Sequence, residues 1–163
     1  MDRKHWVEIM KEVHPNFEHE FHHIFFNCIH QHRRLIRDAL SSIGLYKGQP
    51  FLIQILFHMD GRTQKELSAI MGIQPSTVTQ MVHRMEKSAL LEKQADPNDQ
   101  RATRIYITEK GKEVYHQLEE LFTRMEENYF KNFSEGEKLI YKELTKKLTL
   151  NIESNIDALK DKS

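Results

Sequence analysis

The 163-residue chain is one ordinary domain's worth, 29% charged and 39% hydrophobic, a balance that excludes a disordered chain and places it among soluble globular proteins. Its 24 basic and 24 acidic side chains cancel, so no global field advertises a polyanionic partner. No apolar run approaches the ~18 residues of a membrane span, and "MDRKHWVEIMKEVHP" is charged where a secretory signal would be apolar. A cytoplasmic protein is expected, and the single Cys28 excludes an internal disulfide, leaving packing as the favoured use and redox sensing as the alternative.

The prolines and glycines punctuate the chain and leave long segments free of both. In residues 16 to 43 the apolar positions Phe17, Phe21, Ile24, Phe25, Cys28, Ile29, Leu35, Ile36 and Ala39 recur at three- and four-residue spacing, which predicts a long amphipathic helix. Its start carries "HEFHH", His19 to His23, an H-E-x-x-H pattern of the kind that places two metal-binding histidines one turn apart with a glutamate as general base. A hydrolase would also need a third ligand and a cleft. A helix committed to packing offers neither, so exposed polar residues are the expected reading, with His32 half-buried at the apolar stripe.

"FLIQILFHM" (51 to 59) after Pro50 predicts a short apolar helix. "TQKELSAIMG" opens with a capping box, Thr63 to Glu66, and stops at Gly72, and "PSTVTQMVHRMEK" starts with Pro75 in its first turn. That is helix, tight turn, helix. "LLEKQ" and "TRIYIT" are short β-prone runs around "ADPNDQ", whose Asp-Pro and Asn-Asp are turn chemistry. Two strands around a polar loop after a helix-turn-helix make a winged helix. Residues 62 to 110 hold eight Lys/Arg against six Asp/Glu, whereas residues 111 to 163 hold nine against eleven, so only the middle is basic, and weakly.

Along residues 75 to 88, Val78, Met81, Val82 and Met85 form the stripe to be buried, with Ser76, Gln80, His83 and Lys87 opposite, flanked by Thr79 and Arg84. The face is uncharged at its start and basic at its end. It suits base-edge hydrogen bonding in the major groove by Ser76, Thr77, Thr79, Gln80 and His83, with Arg84, Lys87 and Lys93 for phosphates.

The last third carries two further stripes. Val114, Tyr115, Leu118, Leu121, Phe122, Met125 and Tyr129 share one, and Ile140, Leu144, Leu148, Ile152, Ile156 and Leu159 the other, with a capping box from Ser134 to Glu137 between them. Three long amphipathic helices present more apolar surface than the middle can cover, which predicts a homodimer.

"GIQPSTVTQMVHRMEKSALLEKQADPNDQRATRIYITEKGKEV" resembles the recognition helix, wing and following helix of the MarR (multiple antibiotic resistance regulator) family of bacterial transcription factors. The most specific features are Asp96-Pro97-x-Asp99-x-Arg101 and Ile105-x-Ile107-Thr108 followed by Gly111. "IGLYKGQPFLIQIL", with Gln49, resembles the family's segment entering its second helix, so the likeness covers residues 43 to 115. It implies a mainly α fold with a small β-hairpin wing. One MarR-like domain, 1–163, would contain a winged helix-turn-helix at 48–110, with the recognition helix near 75–88 and the wing near 90–107. Residues 1–47 and 111–163 would form the helical dimerisation part.

The resemblance further implies a dimer straddling a pseudo-palindromic operator on double-stranded DNA. Arg101 would enter the minor groove while Asp99 steadies it, in keeping with the affinity of a guanidinium for a narrow, negative groove. A repressor answering to an unidentified small-molecule effector is expected, with no cofactor, no enzymatic activity and no membrane partner. Three features depart from the family: Ala89 where glycine is usual after the recognition helix, "EKQA" with Lys93 alone entering the wing, and Gln74 as a poor N-cap. The alternatives are a metal-responsive (zinc or haem) regulator using His19 and His23, a metallohydrolase through His19, Glu20 and His23, and a winged helix that binds protein only.

Overall fold

The computed structural model describes residues 20–97 and 102–160. In chain order it holds helix α1 (Glu20–Ser42), α2 (Gln49–His58), strand β1 (Arg62–Thr63), α3 (Gln64–Met71), α4 (Pro75–Lys87), β2 (Leu91–Ala95), β3 (Thr103–Ile107), α5 (Glu109–Tyr129) and α6 (Glu135–Lys160). The residues up to Leu118 form one compact unit and those from Glu119 onward a second. The mainly helical winged-helix fold expected from the sequence is the one found.

In the first unit, each helix starts and stops for a local reason. Gln49 is buried at the head of α2, where its Oε1 accepts the Tyr46 N–H at 2.8 Å while its own N–H donates to the Tyr46 carbonyl at 3.1 Å. Pro50 then supplies a helical φ at the first turn. At α3 the expected capping box is complete: Glu66 N–H donates to Thr63 Oγ1 at 3.2 Å and Thr63 N–H to Glu66 Oε2 at 2.7 Å. Gly72 ends α3 with φ 63°, a left-handed conformation that glycine adopts without strain. The Ser68 hydroxyl, donating to the Ile73 carbonyl at 2.6 Å, closes the turn into α4.

The sheet has three strands, in the order β1-β3-β2, all antiparallel. Leu91 pairs with Ile107 and Ala95 with Thr103 across the wing, as the two β-prone runs predict. Nothing in the sequence pattern announces β1. Two residues carry no periodicity, and this strand exists because it covers the second edge of β3, with Thr63 opposite Arg104. Just before it, the Asp60 carboxylate accepts the Ile107 N–H at 2.9 Å, so that edge donor is also satisfied. The core is built from Leu52, Ile53, Leu56, Leu67, Val78, Val82, Met85, Leu91 and Ile105, all essentially inaccessible. At roughly 1.5–3 kcal/mol for each large apolar side chain withdrawn from water, this cluster is what holds the helix-turn-helix against the sheet.

The wing returns to α5 through a tight junction. Thr108 N–H donates to the Leu90 carbonyl at 3.1 Å, its hydroxyl donates to the Ala89 carbonyl at 2.7 Å, and the same hydroxyl oxygen accepts the Gly111 N–H at 3.0 Å. A Cβ on Gly111 would collide with the Leu90 carbonyl oxygen and come within 2.7 Å of Ile107 Cγ1. Threonine and glycine three residues apart are therefore a steric and capping requirement of this junction.

In the second unit, Phe130, Phe133 and Tyr141 pack edge to face with centroids 5.3 to 6.4 Å apart. The Ser134–Glu137 capping box then starts α6, with Ser134 N–H donating to Glu137 Oε2 at 2.8 Å. No residue of α6 is buried within one chain. The apolar positions Ile140, Leu144, Ile152, Ile156 and Leu159 all stand exposed.

Two sequence expectations on α1 are corrected. Cys28 is exposed in the single chain, so it is not used for packing within it. His32 is exposed too, not half-buried, although it lies on the same face of the helix as the half-buried Ile29 and Ile36.

Candidate nucleic-acid interface

Helix α4 is the second helix of the helix-turn-helix and packs against both α3 and β2. Val78, Val82 and Met85 are fully buried and Met81 is half-buried. The rotation this imposes leaves Ser76, Thr77, Thr79, Gln80, His83, Arg84 and Lys87 exposed together. Among the described residues, the side chains of Ser76, Thr77 and Gln80 make no hydrogen bond, and Arg84 and Lys87 make no ion pair. The start of the helix is uncapped by any side chain, as Gln74 predicts; its carbonyl accepts the Thr77 N–H at 2.9 Å instead.

Two residues of the expected surface are engaged by the protein itself. Lys93 on β2 reaches back to Glu86 of α4, with Nζ 2.6 Å from Oε2. This partly cancels the charge expected to face phosphate and ties the wing's first strand to α4. Thr79 has its Oγ1 2.8 Å from Gln64 Oε1 and 2.9 Å from the Pro75 carbonyl. Gln64 lies fifteen residues back, at the first position of α3, and no sequence spacing points to it.

The wing is closed at its base by an ion pair that the sequence does not reveal. Asp96 is 6% exposed and accepts Arg104 Nε at 2.7 Å, while Arg104 Nη1 donates to the Gly61 carbonyl at 2.8 Å. Asp96 N–H also donates to the Ala102 carbonyl at 3.0 Å, so the loop is pinched on both sides. Asp99 and Arg101, the expected minor-groove pair, lie outside the described residues, as does His19. The side chains of Glu20 and His22 do too, and His23 is half-buried on α1.

The Thr63 backbone N–H, followed by the Thr63 hydroxyl and Arg62, holds the Glu66 carboxyl below the ordinary glutamate range. Beyond α4, Ala89 sits at φ 57° where a glycine is expected, and the Leu90 N–H still returns to the Met85 carbonyl at 2.9 Å. The turn is thus made in the usual left-handed way, with a methyl group that this conformation disfavours.

The MarR family model matches residues 45–103, from the entry into α2 to the start of β3. The uncharacterized HTH-type transcriptional regulator YsmB of Bacillus subtilis is 30% identical over 115 residues, 69% of this chain and 77% of that protein. This chain belongs to the MarR family. It is a DNA-binding transcriptional regulator of that family. Among solved structures, a point mutant of S. aureus MepR superposes with a TM-score of 0.72 at 20% identity, over 81% of this chain and 98% of that one. A second S. aureus MepR mutant, bound to an oligodeoxyribonucleotide, gives 0.61 at 20% identity, over 81% of this chain and 97% of that one.

Proposed function

We propose that this MarR-family regulator acts in the cytoplasm as a homodimer on a pseudo-palindromic operator, represses transcription there, and releases DNA when a small ligand binds between its dimerisation helices and its winged helix. The observation that carries the DNA reading is the exposed face of α4, polar at its start and cationic at its end, on the outer helix of a helix-turn-helix. Ser76, Thr77, Thr79, Gln80 and His83 would meet base edges, with Arg84 and Lys87 on phosphates and Lys93 contributing less because Glu86 holds it. The DNA-bound MepR mutant, of the same fold, supports the same use.

The dimer reading is supported by α6, none of whose apolar residues is buried among the described residues, and by exposed Phe21, Ile24 and Leu35 on α1. Residues 1–47 and 111–163 would form this interface. The wing reading assigns Arg101 to the minor groove and Asp99 to steadying it, on the family motif and on the closed wing base that Asp96 and Arg104 supply.

A gel-shift titration on genomic fragments upstream of the protein's own gene tests the proposal. Gln80→Ala should relax base preference, Lys87→Ala should weaken all sequences alike and lower the salt slope by ~1, and Arg101→Ala should cost roughly 1–3 kcal/mol of affinity. If Gln80→Ala and Lys87→Ala behave identically across operator variants, the division of the face into reading and anchoring halves is wrong.

A further inference from the structure

We propose that Gln64, on the first helix of the helix-turn-helix, is a positioning residue that fixes the polarity of Thr79, so that the recognition helix presents Thr79 to DNA as a hydrogen-bond acceptor. This rests on the reading of α4 as the base-reading helix and deepens it. A threonine hydroxyl carries one proton and two lone pairs, and free to rotate it reads donors and acceptors alike. Here it is not free. Gln64 Oε1 lies 2.8 Å from Thr79 Oγ1 and the Pro75 carbonyl 2.9 Å, both of them protein acceptors for its one proton. The proton therefore points inward, and the lone pairs are what the exposed side of Thr79 offers.

An acceptor in the major groove pairs with an exocyclic amine, adenine N6 or cytosine N4, and is repelled by guanine O6 and thymine O4. Turning the proton outward means giving up both protein acceptors. Without Gln64 only the bond one turn back to Pro75 must be broken, as for any threonine in a helix. Gln64 itself is well held for the task, at the first turn of a helix whose capping box at Thr63 and Glu66 is complete.

The test is selection of bound duplexes from a randomised library by the full-length protein and its Gln64→Ala, Gln64→Glu, Thr79→Val and Gln80→Ala variants, with circular dichroism to check folding. The wild type should show, at one base pair in each half-site, a preference that depends on the exocyclic amine of its adenine or cytosine and is lost when purine or pyrimidin-2-one replaces that base in the selected duplex, and Thr79→Val should abolish that preference. Gln64→Ala should weaken it at least fivefold at that pair alone. Gln64→Glu, which keeps an acceptor oxygen in place, should restore it even if overall affinity falls. A merely structural role for Gln64 would lower affinity evenly and leave the ratio at that pair unchanged. The proposal is overturned if Gln64→Ala leaves the ratio intact while Gln80→Ala shifts preference at its own pair, or if the duplex lacking the exocyclic amine at the Thr79 pair is bound as well as the parent. If neither Gln80→Ala nor Thr79→Val changes any preference, the base-reading assignment of α4 falls, and this proposal with it.

Discussion

Gly111→Ala sets helix propensity against packing, and the structure decides which wins. Near the start of an exposed helix the change would stabilise by up to ~1 kcal/mol, because alanine loses less backbone entropy than glycine. At Gly111 the new methyl would collide with the Leu90 carbonyl oxygen and press on Ile107 Cγ1 at 2.7 Å. The carbonyl is backbone, and it also accepts the Thr108 N–H, so it cannot turn aside without breaking the junction between wing and α5. Overpacking at such a site costs roughly 3 kcal/mol, and the strained hydrogen bond about 1 kcal/mol more. The net expectation is a loss of about 3 kcal/mol in urea unfolding followed by circular dichroism. Gly136→Ala provides the control, since nothing lies within 4 Å of a Cβ there and its position in α6 should yield a small gain. A Gly111→Ala protein as stable as the parent would refute the close approach of α5 to Leu90.

Ala89→Gly should stabilise by about 0.5–1 kcal/mol, relief of the left-handed methyl outweighing the entropy glycine adds to the unfolded chain; a lower urea midpoint would contradict this. Asp96→Ala should destabilise by about 2 kcal/mol in the same assay, less than for a fully buried pair because Arg104 can partly rehydrate, and no change would show the wing base to be held by its strands alone. Glu66, its folded-state pKa depressed by Thr63, contributes stability that is fully present above the unfolded glutamate value and is lost as pH falls through the folded one. Unfolding titrations between about pH 5 and 3 should therefore show a shallower loss for Glu66→Gln than for the parent, and equal slopes would remove the claim.

Strong local signals are legible in the sequence. Pro75 and the Val78, Val82, Met85 spacing place α4 to within a residue, and the two capping boxes and both wing strands stand where turn chemistry and β-prone runs put them. What is not legible depends on tertiary register. β1 is two residues long and exists only because β3 leaves an edge open. Thr79 reads as one more polar residue until α3 and α4 are docked and Gln64 arrives beside it. The Asp96–Arg104 pair needs the hairpin closed before its partners meet. Lys93 looks free along the chain because Glu86, seven residues away, belongs to another element. Cys28 and His32 differ from expectation for a related reason: an apolar stripe on α1 does not say which of its residues one chain alone covers.

The central claim is that two copies of this chain read one DNA site through paired α4 helices. Hydroxyl-radical footprinting on a duplex selected by the protein tests it most directly. Two protected half-sites related by a two-fold axis and centred about one DNA turn apart, ~34 Å, are expected, both weakened together by Lys87→Ala. A single asymmetric footprint, or two that survive Lys87→Ala with unchanged affinity, would contradict it.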